Sequence, residues 1–186
     1  MRSFPWIKGE KMERISFVRD AGLDLFGKDN ADEMPDTGRR LEENAAQAIR
    51  DYIGKLGLAA EGLEIGFDSA IATVTVSGMA PDHETREKIV LCCGNVQGVD
   101  QVDDRLEIED PDSPEYEWHT AKKGESLPNI AQYFFTDANK YMDIFEANRP
   151  MMAHPDRVYP GQMLRIPPAR RRCFEPTVLM RRKRPD

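Results

Sequence analysis

Residues 119–167 read HTAKKGESLPNIAQYFFTDANKYMDIFEANRPMMAHPDRVYPGQMLRIP, and this stretch decides how the rest of the chain divides. Tyr116 to Ala121 has the composition of a strand, and Lys123-Gly124-Glu125 forms a turn after it. Ser126 then caps a helix that carries Leu127, Ile130, Ala131 and Phe134 on one face. Pro128 falls in its first turn, where a missing N–H costs little. Thr136 or Asp137 opens a second helix with Tyr141, Ile144 and Phe145 turned inward, ending near Asn148, a residue that tolerates a left-handed conformation. Tyr159-Pro160-Gly161-Gln162 places Pro then Gly at the centre of a type II turn, and Met163 to Ile166 supplies a returning strand. The order is βααβ.

Upstream, Leu41, Ala45, Ala48, Ile49, Tyr52, Ile53 and Leu56 recur at spacings of three and four, which predicts an amphipathic helix over 40–56 closed by Gly57. Leu63, Ile65 and Phe67 alternate as in a strand. So do residues 71–76, with Ile71, Thr73 and Thr75 facing one way and Ala72, Val74 and Val76 the other. Residues 82–93 return to helix, with Ile89, Val90 and Cys93 on its apolar side and Gly94-Asn95 as its stop. Val99, Val102, Leu106 and Ile108 mark a further strand of imperfect phase. The fold class is therefore α+β, an αββαβ module followed by the βααβ module. At the start, Ile15, Val18, Leu23 and Phe26 suggest a helix interrupted at Gly22, and the polar run from Gly27 to Gly38 reads as a connection. The expected division is an N-terminal segment over 1–36, a first module over 37–109, a linker over 110–115, a second module over 116–168 and a basic tail over 169–186.

The net charge of −7 conceals an asymmetry. Seven basic side chains against two acidic ones give the tail +5, so the residues before it carry −12. A body this acidic repels nucleic acid and anionic membrane and attracts cations. Residues 100–117 hold nine acidic side chains and one basic one, a pattern that predicts a solvated face or an extended linker. The tail has too few apolar groups to offset the entropy of ordering, and its arginines suit an acidic partner.

Three cysteines form neither a disulfide framework nor metal-ligand spacing. No signal-peptide h-region and no apolar run of membrane-spanning length is present, which makes the cytoplasm the default expectation. His83, His119 and His154 sit in different predicted elements, and no Ser/His/Asp order, HExxH, P-loop or GxGxxG occurs, so no enzyme is expected. Asp82-His83-Glu84 reads as a helix cap, and Glu84-Thr85-Arg86-Glu87-Lys88 as a charged helix face.

The run from Thr120 to Leu127, the helix end Glu146-Ala147-Asn148 and the Tyr159–Pro167 turn and strand together resemble a LysM domain from end to end. His119 stands where a tyrosine is usual, and Thr136-Asp137-Ala138 replaces the commoner Gly-Asn/Asp-Ala turn. The resemblance implies a groove for N-acetylglucosamine-containing glycans such as peptidoglycan, between Gly124, Glu125, Ser126 and Leu127 on one side and Met152, Asp156, Arg157 and Val158 on the other. Read from the residues alone, Gly124 and Ser126 serve the turn and cap and Leu127 the core.

Residues 40–108 resemble a BON domain, through their alternating strands, Ser77-Gly78 and the loop Gly94-Asn95-Val96-Gln97-Gly98-Val99. BON followed by LysM, and preceded by Ile15–Gly22, resembles the bacterial cytoplasmic potassium-binding family over about residues 12–168. That likeness implies a bound potassium ion, held by the backbone carbonyls of Val18, Ala21, Gly22, Val96, Gly98 and Val99. A large monovalent cation gives up its hydration shell only where several oxygen dipoles converge, and backbone carbonyls can supply them. The function so implied is a monomeric potassium sensor or buffer whose N-terminal segment and two modules become ordered with the ion. The alternative is glycan binding through LysM.

Overall fold

The computed structural model describes residues 13–19, 24–25 and 37–168. The first module is a four-stranded sheet in the order β1-β4-β3-β2, formed by β1 (Glu13–Ser16), β2 (Glu61–Asp68), β3 (Thr73–Asp82) and β4 (Gln101–Asp110). Strands β2 and β3 form an antiparallel hairpin, β3 and β4 run parallel in the register Val74↔Val102, and β1 pairs antiparallel with β4 through Ile15↔Val102. Helix α1 (Thr37–Lys55) lies against β2, and α2 (His83–Gly94) is the crossover between the parallel strands. Ile49 and Ile53 of α1, Ile89 of α2, Val74 and Val76 of β3 and Val102 of β4 are fully buried in one core. Each such side chain contributes about 1.5–3 kcal/mol of burial.

Four sequence expectations are corrected here. The chain at 13–16 is strand β1, where the spacing of Ile15, Val18, Leu23 and Phe26 predicts a helix from Ile15. Ile15 and Phe17 alternate with Arg14 and Ser16, and the open edge of β4 offers backbone partners that a lone helical turn would forgo. Ile71 leaves the strand pattern and is 59% exposed. Asp68 Oδ1 accepts the N–H groups of Ala70 and Ile71, and Ala72 takes a positive φ of 49°, so the hairpin turn runs through 72 and β3 begins at Thr73. Helix α2 buries every residue from Ile89 to Gly94 rather than one stripe, because the sheet covers one side and the second module packs on the helix as well. Lastly, the acidic run is not wholly a solvated face or linker: in the expected strand, now central β4, two of its carboxylates turn inward. Asp103 and Asp104 are buried, Asp104 accepting from Arg86 Nε at 2.9 Å and Leu106 N at 2.9 Å, and Asp103 pairing with Arg105 at 2.7 Å. The sequence signal missed these pairs because both arginines are as sparse and as ordinary as any surface cation.

The second module has the expected βααβ order: β5 (Glu117–Thr120), α3 (Leu127–Phe135), a 3-10 turn at Ala138–Lys140, α4 (Tyr141–Ala147) and β6 (Met163–Ile166), with β5 and β6 antiparallel. Leu127, Ile130, Ala131, Ile144, Leu164 and Ile166 form its core. Thr136 closes α3 at φ 57°, and Asp137 Oδ1 caps the 3-10 turn by accepting from Asn139 N at 3.0 Å. Gly161 adopts φ 86° and Gln162 N donates to Tyr159 O at 3.0 Å, the type II turn read from the sequence. Asn148 departs from its expected left-handed role, with φ −101°. Its buried amide instead ties α4 to β6, donating to Ile144 O and Arg165 O and accepting from Arg165 N at 2.7–2.8 Å.

The modules meet along α2. Arg165 of β6 is completely buried and its Nε donates to Glu87 Oε2 at 2.7 Å, while Glu87 Oε1 accepts Tyr116 N at 3.1 Å. The guanidinium also lies 4.0 Å from the Tyr116 ring centroid and donates to Ala147 O. Trp118, Met151 and Met163 pack against the first core. Between the modules, Ser113 folds back, donating to Asp110 O at 2.7 Å and accepting His83 N at 2.9 Å. The expected linker thus contains a hydrogen-bonded turn.

Candidate cation site

The loop after α2 runs Asn95-Val96-Gln97-Gly98-Val99, and its two valines are fully buried in the core of the first module. With those side chains turned inward and Gly98 at φ 96°, the stretch from Val96 to Val99 meets the N-terminal segment through peptide groups. Val99 N donates back to Val96 O at 3.2 Å, and Asp100 N to Ala72 O at 2.8 Å.

The N-terminal segment lies directly on this loop. Phe17 N donates to Asp100 O at 2.8 Å, and Gly98 N donates to Arg19 O at 2.8 Å, so one bond runs in each direction. Val18, between the two anchors, is 46% exposed, whereas Phe17 is buried. The Phe17 ring lies over Gly94, and a Cβ on that glycine would clash with three of the ring carbons. Of the six residues whose carbonyls the family resemblance implies as ligands, Val18, Val96, Gly98 and Val99 are thereby brought into one neighbourhood. Ala21 and Gly22 lie outside the described residues.

Backbone carbonyls, as a class of donor, suit a hard monovalent cation better than a transition metal. Among the described residues no group of three His, Cys, Asp or Glu side chains is placed to hold a metal. Cys92 and Cys93, close by on α2, are buried thiols; desolvation pushes Cys92 up to about 12 and Cys93 well above its usual value, so both stay protonated and poor ligands.

The nominated glycan residues occupy two kinds of position. Leu127 and Met152 are core side chains, whereas Gly124, Ser126, Asp156 and Arg157 are exposed and Glu125 and Val158 half-buried. Gly124 takes φ 85° in the turn, and Ser126 is extended at the helix start, its backbone carbonyl accepting Ile130 N. Glu125 Oε2 accepts Lys122 N at 2.8 Å and bonds His119 Nε2 at 2.9 Å. The Lys122 N–H, and after it His119, hold the Glu125 carboxyl below its usual range. A depressed carboxylate stabilises the fold above its unfolded pKa and loses that contribution as pH falls through the folded value. Glu125→Gln is therefore expected to destabilise the protein by no more than about 1 kcal/mol at neutral pH. In thermal melts the gap from wild type should close on acidification below pH 4; a pH-independent gap would contradict the ionised role.

Sequence reasoning missed the contacts that Asn95, Glu87 and Arg165 make between the modules. Asn95 reads as a helix stop and Glu87 as part of a charged helix face, and no local pattern marks a residue whose partner is 68 or 78 positions away.

The LysM domain family matches residues 119–167. Over 157 residues the chain is 36% identical to the potassium binding protein Kbp of Escherichia coli O6:H1 (strain CFT073), covering 84% of this chain and 99% of that one. The chain belongs to the Kbp family. An uncharacterized protein of Deinococcus radiodurans is 31% identical over 146 residues, covering 73% of this chain and 54% of the longer relative. Kbp and the LysM family are non-catalytic binding proteins, and this chain is one of the same kind. The aligned length matches Kbp nearly end to end, so the likeness takes in both modules and the junction between them. Among the described residues no helix is long and apolar enough to cross a membrane.

Proposed function

We propose that this member of the Kbp family is a cytoplasmic potassium-binding protein, acting as sensor or buffer, with a BON domain as its first module and LysM as its second. The backbone carbonyls of Val18, Ala21, Gly22, Val96, Gly98 and Val99 hold the ion. The observation that carries this reading is the pair of bonds Phe17 N to Asp100 O and Gly98 N to Arg19 O, which stitch the N-terminal segment to the loop through backbone alone. Two peptide segments fixed face to face are the means by which a chain without acidic ligands can offer converging oxygens. The surrounding acidic body raises the local concentration of any cation, so the preference for potassium over sodium belongs to the size and stiffness of the cage. Ion binding orders the N-terminal segment and shifts the packing of the two modules.

The test is calorimetric titration of metal-stripped protein with potassium chloride, matched against sodium chloride at equal ionic strength. Saturable heat with potassium only is the expected result. Equal responses to the two salts, or no heat and no change in melting temperature, would sink the potassium reading and leave glycan binding by LysM, with Gly124, Glu125, Ser126, Asp156 and Arg157 as its exposed or half-buried surface. Deleting residues 1–22 is a poor control, since it also removes strand β1 and the buried Phe17.

A further inference from the structure

Asn95 stands where three parts of the chain meet. Its backbone N–H closes α2 on Leu91 O at 2.9 Å. The residue before it, Gly94, lies under the Phe17 ring of the N-terminal segment, and the residue after it, Val96, is the first buried valine of the loop that Asn95 opens. Its side chain leaves the first module altogether. Nδ2 donates to Met163 O at 2.9 Å and Oδ1 accepts from Met163 N at 2.9 Å, both part-buried.

An amide that exchanges both bonds with one backbone residue reproduces a rung of an antiparallel ladder, here with the first residue of β6. The contact is directional. Aspartate has no donor for Met163 O and would set a negative charge against it; alanine has neither group. With the Asn95 N–H held by α2, its amide by β6, Val96 and Val99 buried, and the Gly98 N–H on Arg19 O, Gln97 is the loop's one exposed residue and Asn95 fixes the loop's first position. The direction in which the chain enters the loop therefore depends on where β6 sits. The Glu87–Arg165 pair also joins the modules, but it lies two turns earlier on α2 and touches no loop residue.

We infer that Asn95 is a positioning residue which couples the cation loop to the docking of the LysM module. This rests on the potassium reading of the loop. Coupling of this kind is reciprocal: whatever factor docking adds to potassium affinity, potassium adds to docking.

The experiment has two arms on the full chain. In wild type, potassium is expected to slow hydrogen exchange of the β6 amides, Met163 to Ile166, more than matched sodium does. In Asn95→Ala and in Asn95→Asp, which keeps the size and one of the two bonds, potassium affinity is expected to fall at least fivefold and the potassium-dependent protection of β6 to vanish. Met163→Ala, which leaves the backbone partner in place, should keep the potassium-dependent protection. A merely structural asparagine would lower the melting temperature and leave both potassium readouts unchanged. Wild-type binding of potassium with β6 exchange indifferent to it, or with Asn95 variants of equal affinity, would overturn the coupling and leave the potassium site standing. Absence of any potassium-specific binding by wild type would overturn both, and the wild-type arm decides even if a variant fails to fold.

Discussion

Arg165→Met is expected to destabilise the protein by about 3–5 kcal/mol, a fall in melting temperature on the order of 10 °C. Methionine keeps much of the aliphatic volume of a side chain that is completely buried, so the loss isolates the charge. Glu87 would then be left in the junction without the guanidinium 2.7 Å away, and Tyr116 would lose its stacked cation. Burial already raises the Glu87 carboxyl above its usual value, against the lowering influence of the Tyr116 N–H and of Arg165. Removing Arg165 takes away one of those restraints and raises it further. A carboxyl whose folded pKa is raised binds a proton more readily in the folded state, so the variant should recover stability as pH falls from 7 through the folded pKa toward the unfolded value. Melts of Arg165→Met and wild type between pH 4.5 and 8 check this, and a deficit that grows on acidification would contradict it. Glu87→Gln with Arg165→Met should lose less than Arg165→Met alone, because no buried charge is stranded.

Gly94→Ala is expected to cost about 2–4 kcal/mol, although the same exchange in an open helix usually stabilises by up to about 1 kcal/mol. The reason is local. The new methyl would clash with the Phe17 ring, which is packed in the first core, so the ring must shift from its buried place. Phe17 would leave the core and release the hydrogen bonds on either side of it, to Asp100 O and from Gly98 N. Faster hydrogen exchange at Phe17 and Gly98 would accompany the loss, and under the potassium reading affinity would fall with it. Combining Gly94→Ala with Phe17→Ala should cost clearly less than the sum of the two, since removing the ring makes room for the methyl. A neutral or stabilising Gly94→Ala would show that Phe17 does not pack there in solution.

Much of the molecule was legible in its sequence because the signals are short-range. The Ser126 to Leu127 helix start, the Pro160-Gly161 turn and the spacing of Ile144 and Phe145 specify the βααβ module within fifty residues, each through a backbone preference or a periodicity that needs no knowledge of the partner. The helix stop at Gly94-Asn95 was visible in the same way. Strand β1 was not, because four residues with one β-branched apolar side chain carry too little pattern, and what made them a strand was the free edge of β4. Nor did the charge run over 100–117 show which carboxylates are buried; Asp104 and Asp103 are inside because Arg86 and Arg105 meet them there. The same holds at the junction. Glu87, Asn95 and Arg165 are ordinary polar residues in sequence, and only the stacking of β6 on α2 turns them into a buried ion pair and a two-way amide contact. By itself, then, the sequence determined the two modules and their order, since local propensity and periodicity act over a few residues. The tertiary structure alone decided which polar groups join them and which carboxylates are buried, since those energies exist only once distant residues have been brought together and water removed.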